Sequence, residues 1–162
     1  MIKIYPKNKN KFLRLIRFSR ELVGICKKIG IKPVAYGSFA YFIYTKDKRV
    51  NVNDIDFYIS EKSFKKIDEI LNKKKIRHKY DKKWRTIQVF KDSLKIELDS
   101  MEKWLEYVNQ YKQPFKRFNF YGNNIKILSL KALTDVYKKA AKMNTIEPKQ
   151  NKKKYLALKK LK

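Results

Sequence analysis

The chain contains one cysteine, Cys26, and one histidine, His78, in 162 residues. A single cysteine excludes an internal disulfide and fits a reducing compartment. Placed within a helical pattern, Cys26 reads as a small core residue. One histidine and one cysteine also argue against zinc, whose structural sites take four ligands, mostly His and Cys. No run of eighteen apolar residues occurs, so no membrane-spanning helix and no membrane partner is expected. The opening segment, MIKIYPKNKNK, is basic but lacks an apolar signal core. The expected location is the cytoplasm. No repeat or low-complexity segment stands out beyond a bias toward lysine.

Acidic residues are the other scarcity: 15 Asp and Glu stand against 42 Lys and Arg, a net charge of +27. Solubility requires far less. Such a field attracts polyanions, which points to nucleic acid or nucleotides as partners. Because 35 of the 42 basic residues are lysine, a lysine-favouring genome or a hot habitat is the alternative source of the bias. The apolar share of 43% suffices for the core of one domain.

From about Asn8 to Gly30, Phe12, Leu13, Ile16, Leu22, Val23, Cys26 and Ile29 recur at three- and four-residue steps, predicting an amphipathic helix with a basic outer face. A first core strand is expected over Ile31–Tyr36, then a short apolar helix from Ser38 to about Tyr44. A polar loop follows, then a strand over Asp54–Ser60 and a helix over Glu61–Lys73 capped by Ser60. Ile76–Tyr80 is a weak strand. Trp84–Phe90 and Leu94–Asp99 alternate strictly and form a hairpin about Asp92-Ser93. A helix over Met101–Tyr111 precedes a second hairpin, turning at Gly122-Asn123. Ser129 should cap a helix running to about Asn144. A linker with Pro148 and a lysine-rich helix over Lys152–Lys162 complete the chain.

The few acids are focused. Asp54 and Asp56 point the same way from one strand, because alternate strand residues share a face. Glu97 and Asp99 do the same on a later strand. If the two strands are neighbours, three or four carboxylates converge. Such a group repels itself unless a cation sits in it, and an all-carboxylate set suits Mg²⁺ or Mn²⁺. Upstream, the apolar run Pro33–Tyr36 breaks at Gly37-Ser38. A helix starting there offers free backbone N–H groups to phosphate.

Gly37-Ser38, followed by Asp54-Ile55-Asp56 and a later strand acid, resembles the nucleotidyltransferase superfamily typified by DNA polymerase beta. The likeness is greatest to its minimal members, including the AbiEii-toxin-like enzymes, and covers about residues 31–144. It implies an α/β (α+β) fold, a small mixed β-sheet flanked by helices. The domain would span 1–144, with a basic N-terminal helix over 8–30, and 145–162 would add a linker and helix. The resemblance implies that an NTP donates a nucleoside monophosphate to a hydroxyl. Asp54 and Asp56 would be metal ligands, with Glu97 as third acid and Asp99 as its rival. Gly37 and Ser38 would hold the NTP phosphates. Arg85, Lys131 and Lys138 are the cations expected near the leaving group. The charge favours a nucleic-acid acceptor, RNA or tRNA ahead of DNA, and a toxin-type enzyme with an antitoxin or other protein partner belongs to this class. A catalytically inactive RNA- or DNA-binding protein on the same fold is the alternative. The chain departs from the pattern at Phe39-Ala40-Tyr41, where an arginine often follows Gly-Ser, and at Lys154-Tyr155, where a basic residue is commonly followed by Asp.

Overall fold

A computed structural model describes residues 4–108, 110–120, 123–143 and 147–162. The apolar spacing after Asn8 becomes α1 (Lys9–Lys28). It buries Phe12, Leu15, Ile16, Leu22, Val23 and Cys26 and leaves Arg14, Arg17, Arg20, Lys27 and Lys28 outside. Burial pushes the Cys26 thiol up to about 12, as suits an inert core residue. The remaining elements are β1 (Val34–Tyr36), α2 (Gly37–Thr45), β2 (Ile55–Ile59), a 3-10 turn (Glu61–Ser63), α3 (Phe64–Lys73), β3 (His78–Asp81), β4 (Thr86–Lys91) and β5 (Leu94–Ser100). Then follow α4 (Met101–Val108), β6 (Phe115–Phe120), β7 (Asn123–Leu128), α5 (Leu130–Ala140) and α6 (Pro148–Lys159).

Several boundaries differ from expectation, three of them for a clear physical reason. The first strand starts at Val34 instead of Ile31, because Pro33 has no N–H to give a ladder. Ser60 does not cap the next helix: its hydroxyl bonds the Glu102 carboxylate, which also accepts the Glu61 N–H at 2.8 Å. The first free amide is thus satisfied from α4, and α3 begins only at Phe64. The last helix begins at Pro148, where a missing N–H is harmless in the first turn. Ser129 caps α5 as expected, accepting the Ala132 N–H at 3.2 Å. Gly122 of the expected second turn and Asn144–Ile146 of the expected linker lie outside the described residues.

The seven strands form one mixed sheet in the order β3-β4-β5-β2-β1-β7-β6. β2 pairs in parallel with β5, and β1 with β7; the other neighbours are antiparallel. The fold is α/β, with a mixed sheet as the sequence led us to expect. Ile55, Phe57 and Ile59 of β2, with Ile96 and Leu98 of β5, are buried on one face. The alternate positions, Asp56 and Tyr58 with Glu97 and Asp99, lie on the other. α6 packs against α5 and α2, and its Leu158 is fully buried. No described helix is long and apolar enough to cross a membrane.

Candidate metal-binding active site

Strand register assembles the site. β1 and β2 set Tyr36 opposite Asp56, and β2 and β5 set Asp56 opposite Glu97. Asp54 immediately precedes β2. Asp54, Asp56 and Glu97 each offer an oxygen, and the three lie within 4.8 Å of one another. Gly37 opens α2 with φ +66°, and a Cβ built on it would collide with the Asp56 carboxylate. The left-handed backbone and the close approach both require glycine here. Gly37→Ala should therefore lower stability by at least the ~1–2 kcal/mol of a left-handed L-residue. It should also displace Asp56, so thermal melts with and without Mg²⁺ are expected to show a lower melting temperature and a smaller metal-induced rise.

The electrostatics fit a divalent cation. Burial, followed by repulsion from Asp54, Asp99 and Glu97, holds the Asp56 carboxyl well above the ordinary carboxylate range. Lys95 provides the opposing attraction. Its Nζ lies 2.9 Å from Glu97 Oε1 and 3.4 Å from Asp54 Oδ2. Gln88 Nε2 donates to the same Glu97 oxygen at 2.9 Å. Converging carboxylates, hard donors with residual mutual repulsion, are the chemistry that Mg²⁺ or Mn²⁺ takes.

Asp99 has a different place from the metal ligand expected of it. It accepts hydrogen bonds from the Tyr36 and Thr86 hydroxyls and stands outside the three-carboxylate group. Burial raises its pKa to about 6 against the lowering effect of those two bonds. The Tyr36 ring stacks on Tyr58 at 3.7 Å. Asp99 thus braces the end of β1 from which Gly37 departs.

A cleft of ≈ 850 Å³ opens over Asp54 and Asp56. Gly37, Ser38 and Tyr41 of α2 form one wall, and the segment from Asp47 to Asn53 another. Tyr137 of α5 and Lys153 and Lys154 of α6 close it. Lys154 Nζ stands 5.3 Å from the Tyr137 ring centre and 5.8 Å from that of Tyr41. Burial lowers its pKa, while Glu147, Asp56 and Asp54 act to raise it. The cations expected near a leaving group lie elsewhere. Arg85 is ion-paired with Glu61, and Lys131 and Lys138 are exposed on α5 outside the cleft lining. Lys95 was open to sequence reasoning, since it shares the alternate face with Glu97. Lys154 entered the sequence reading only as the basic member of the pair Lys154-Tyr155; the packing of α6 on α2 and α5 is what brings it to the cleft.

No protein-family model and no curated protein sequence matches the chain. Solved structures do match. A putative nucleotidyltransferase from Thermotoga maritima is 22% identical, with TM-score 0.56 over 87% of this chain and 91% of its own. The antibiotic-resistance factor ANT(2'')-Ia, solved with adenylyl-2''-tobramycin, is 9% identical, with TM-score 0.62 over 88% and 86%. A nucleotidyltransferase-like protein from Paracoccidioides brasiliensis is 10% identical, with TM-score 0.63 over 96% and 78%. The chain has the nucleotidyltransferase fold.

Proposed function

We propose that the protein transfers a nucleoside monophosphate from an NTP to a hydroxyl of a nucleic acid, RNA or tRNA ahead of DNA. The observation that carries this reading is the convergence of Asp54, Asp56 and Glu97, of which Asp54 and Asp56 line a cleft together with Gly37 and Ser38 at the start of α2. The three carboxylates would hold Mg²⁺ or Mn²⁺. When bound, such ions neutralise phosphate charge and acidify a coordinated hydroxyl. The Gly37 and Ser38 amides at the helix N-terminus face the donor's phosphates. Lys154 supplies the cation for charge that grows on the departing pyrophosphate. In the reaction the acceptor oxygen bonds to the α-phosphorus as the bond to the bridging oxygen breaks. Pyrophosphate leaves, and Glu97 takes the hydroxyl proton. The charge of +27 supports a polymeric anion as acceptor.

The test is incubation with labelled NTPs, Mg²⁺ and total RNA, beside Asp54→Ala and Asp56→Ala variants. Label should pass to RNA in a metal-dependent way and be lost by a factor of about 10³ or more in both variants. RNA binding without transfer, unaltered by either substitution, would instead identify a non-catalytic binding protein on this fold.

A further inference from the structure

A second site lies at the other end of β1 from the carboxylates. Tyr36, at the C-terminal end of that strand, faces Asp56, whereas Val34, at its start, faces Lys126 of β7. Between α1 and the β6–β7 hairpin run two cavities of ≈ 560 and ≈ 310 Å³ that share Val23, Lys27, Asn124 and Ile125, forming one trough. Five cations line it: Arg20 and Lys27 from α1, Lys32 after it, Arg117 from β6 and Lys126 from β7. Among the described residues no acidic one does. None of the five has an ion-pair partner among the described residues, although Arg14, Lys91 and Lys95 elsewhere do.

Two features of the trough cost stability, and the first is one a bound anion would relieve. Arg117 and Lys126 are direct cross-strand partners, and like charges so placed repel. Gly24 sits within α1 at the trough, where glycine costs about 1 kcal/mol relative to alanine. A Cβ there would meet nothing within 4 Å, so packing does not require the glycine. What its absence provides is an open place for another chain's close approach.

We propose that this trough binds the phosphodiester backbone of a single-stranded nucleic acid, away from the carboxylate cleft. Phosphates spaced along one strand match a row of unpaired cations better than a single small anion does, and they relieve the Arg117–Lys126 repulsion. The site is independent of transfer chemistry. Binding is read without NTP or metal, so its failure and the failure of the transferase reading are separable.

The experiment uses fluorescence anisotropy of labelled 20-nucleotide RNA and DNA strands, in EDTA, between 50 and 200 mM salt. An Arg117→Ala/Lys126→Ala double variant should lose about 1.4 from the slope of log affinity against log salt, at about 0.7 per single-strand phosphate. Affinity should fall by about tenfold in mid-range salt. The control removes equal charge at the opposite edge of the sheet, with Lys62→Ala/Lys65→Ala beside α3, and should change affinity by less than about twofold. Arg117→Glu should weaken binding at least as much while raising the melting temperature, because Lys126 then faces a carboxylate. That opposition separates a lost site from a damaged fold. Equal losses in the trough and control variants would overturn the proposal, as would an unchanged salt slope. Capture by anionic phospholipid vesicles with no strand binding would also overturn it. Binding of RNA alone, or of both strands, supports it.

Discussion

Replacing Asp56 by asparagine is expected to abolish nucleotidyl transfer and to raise the melting temperature of the metal-free protein. The two effects share a cause. Burial is the largest penalty on the charged form of Asp56, and repulsion from Asp54, Asp99 and Glu97 adds to it against the attraction of Lys95. A carboxyl whose pKa is higher in the folded than in the unfolded state stays protonated when folded at a pH where the unfolded chain has lost its proton. Stability therefore falls as pH rises from about 3.9, the unfolded value, through the folded one. Asp99, raised to about 6, adds a slope of the same sign over its own window. Asp56→Asn removes the larger share of this penalty at neutral pH. Each ~1 kcal/mol recovered raises the melting temperature of a domain this size by about 2–4 °C. In the wild type, Mg²⁺ should have a similar stabilising effect, worth about 2.7 kcal/mol at a hundredfold excess over its dissociation constant. In the variant it should have little. Thermal melts from pH 5 to 8, with EDTA or Mg²⁺, check this alongside the transfer assay. A variant less stable than wild type in EDTA at pH 7 would show that Asp56 has a structural role in place of a metal-binding one.

Lys154→Met should lower the transfer rate by about 10²–10³ while leaving the fold intact, the scale seen when a preorganised charge-stabilising group is removed from an active site. Lys154 is drawn into the cleft by α6, flanked by the Tyr41 and Tyr137 rings, and sits in the field of Asp54 and Asp56. Its pKa is lowered chiefly by burial, so the charged form is disfavoured in the folded state. That cost is present below the folded pKa and is relieved as pH rises from there to the unfolded value. A protein does not gain stability by burying this charge, and methionine fills the same space without it. The loss should fall mainly on kcat, because the cation serves charge that appears as pyrophosphate departs. Lys154→Arg should recover part of the rate. An unchanged kcat in Lys154→Met, measured with the labelled-NTP assay, would place the leaving-group cation elsewhere.

Much of this arrangement is legible in the chain without coordinates. Period-two alternation puts Glu97 and Asp99 on one face of β5, and the Asp54-Ile55-Asp56 spacing brings Asp54, one residue before β2, together with Asp56. The glycine at Gly37 marks the break between a strand and a helix. The three- and four-residue spacing of α1 follows from burying one face of a helix. The scarcity of acids beside an excess of lysine points to a polyanion before any site is known. These features are local, and local geometry is what a sequence encodes most directly.

Partnership between distant segments was decided by tertiary structure. Only the parallel pairing of β2 with β5 sets Glu97 across from Asp56. The same register hands Asp99 to the Tyr36 and Thr86 hydroxyls and leaves it bracing the site. Which cations matter was likewise a question of packing. Arg85 is drawn to Glu61 by the turn before β4, and Lys131 and Lys138 lie on the solvent side of α5. Lys95 and Lys154 are brought to the carboxylates by strand alternation and by the return of α6. The trough depends on two segments about ninety residues apart, α1 and the β6–β7 hairpin, meeting across the edge of one sheet. Charge count and alternation are properties of the chain. Which charges face one another is a property of the closed sheet, because long-range pairing, not sequence proximity, sets the distances over which charges act.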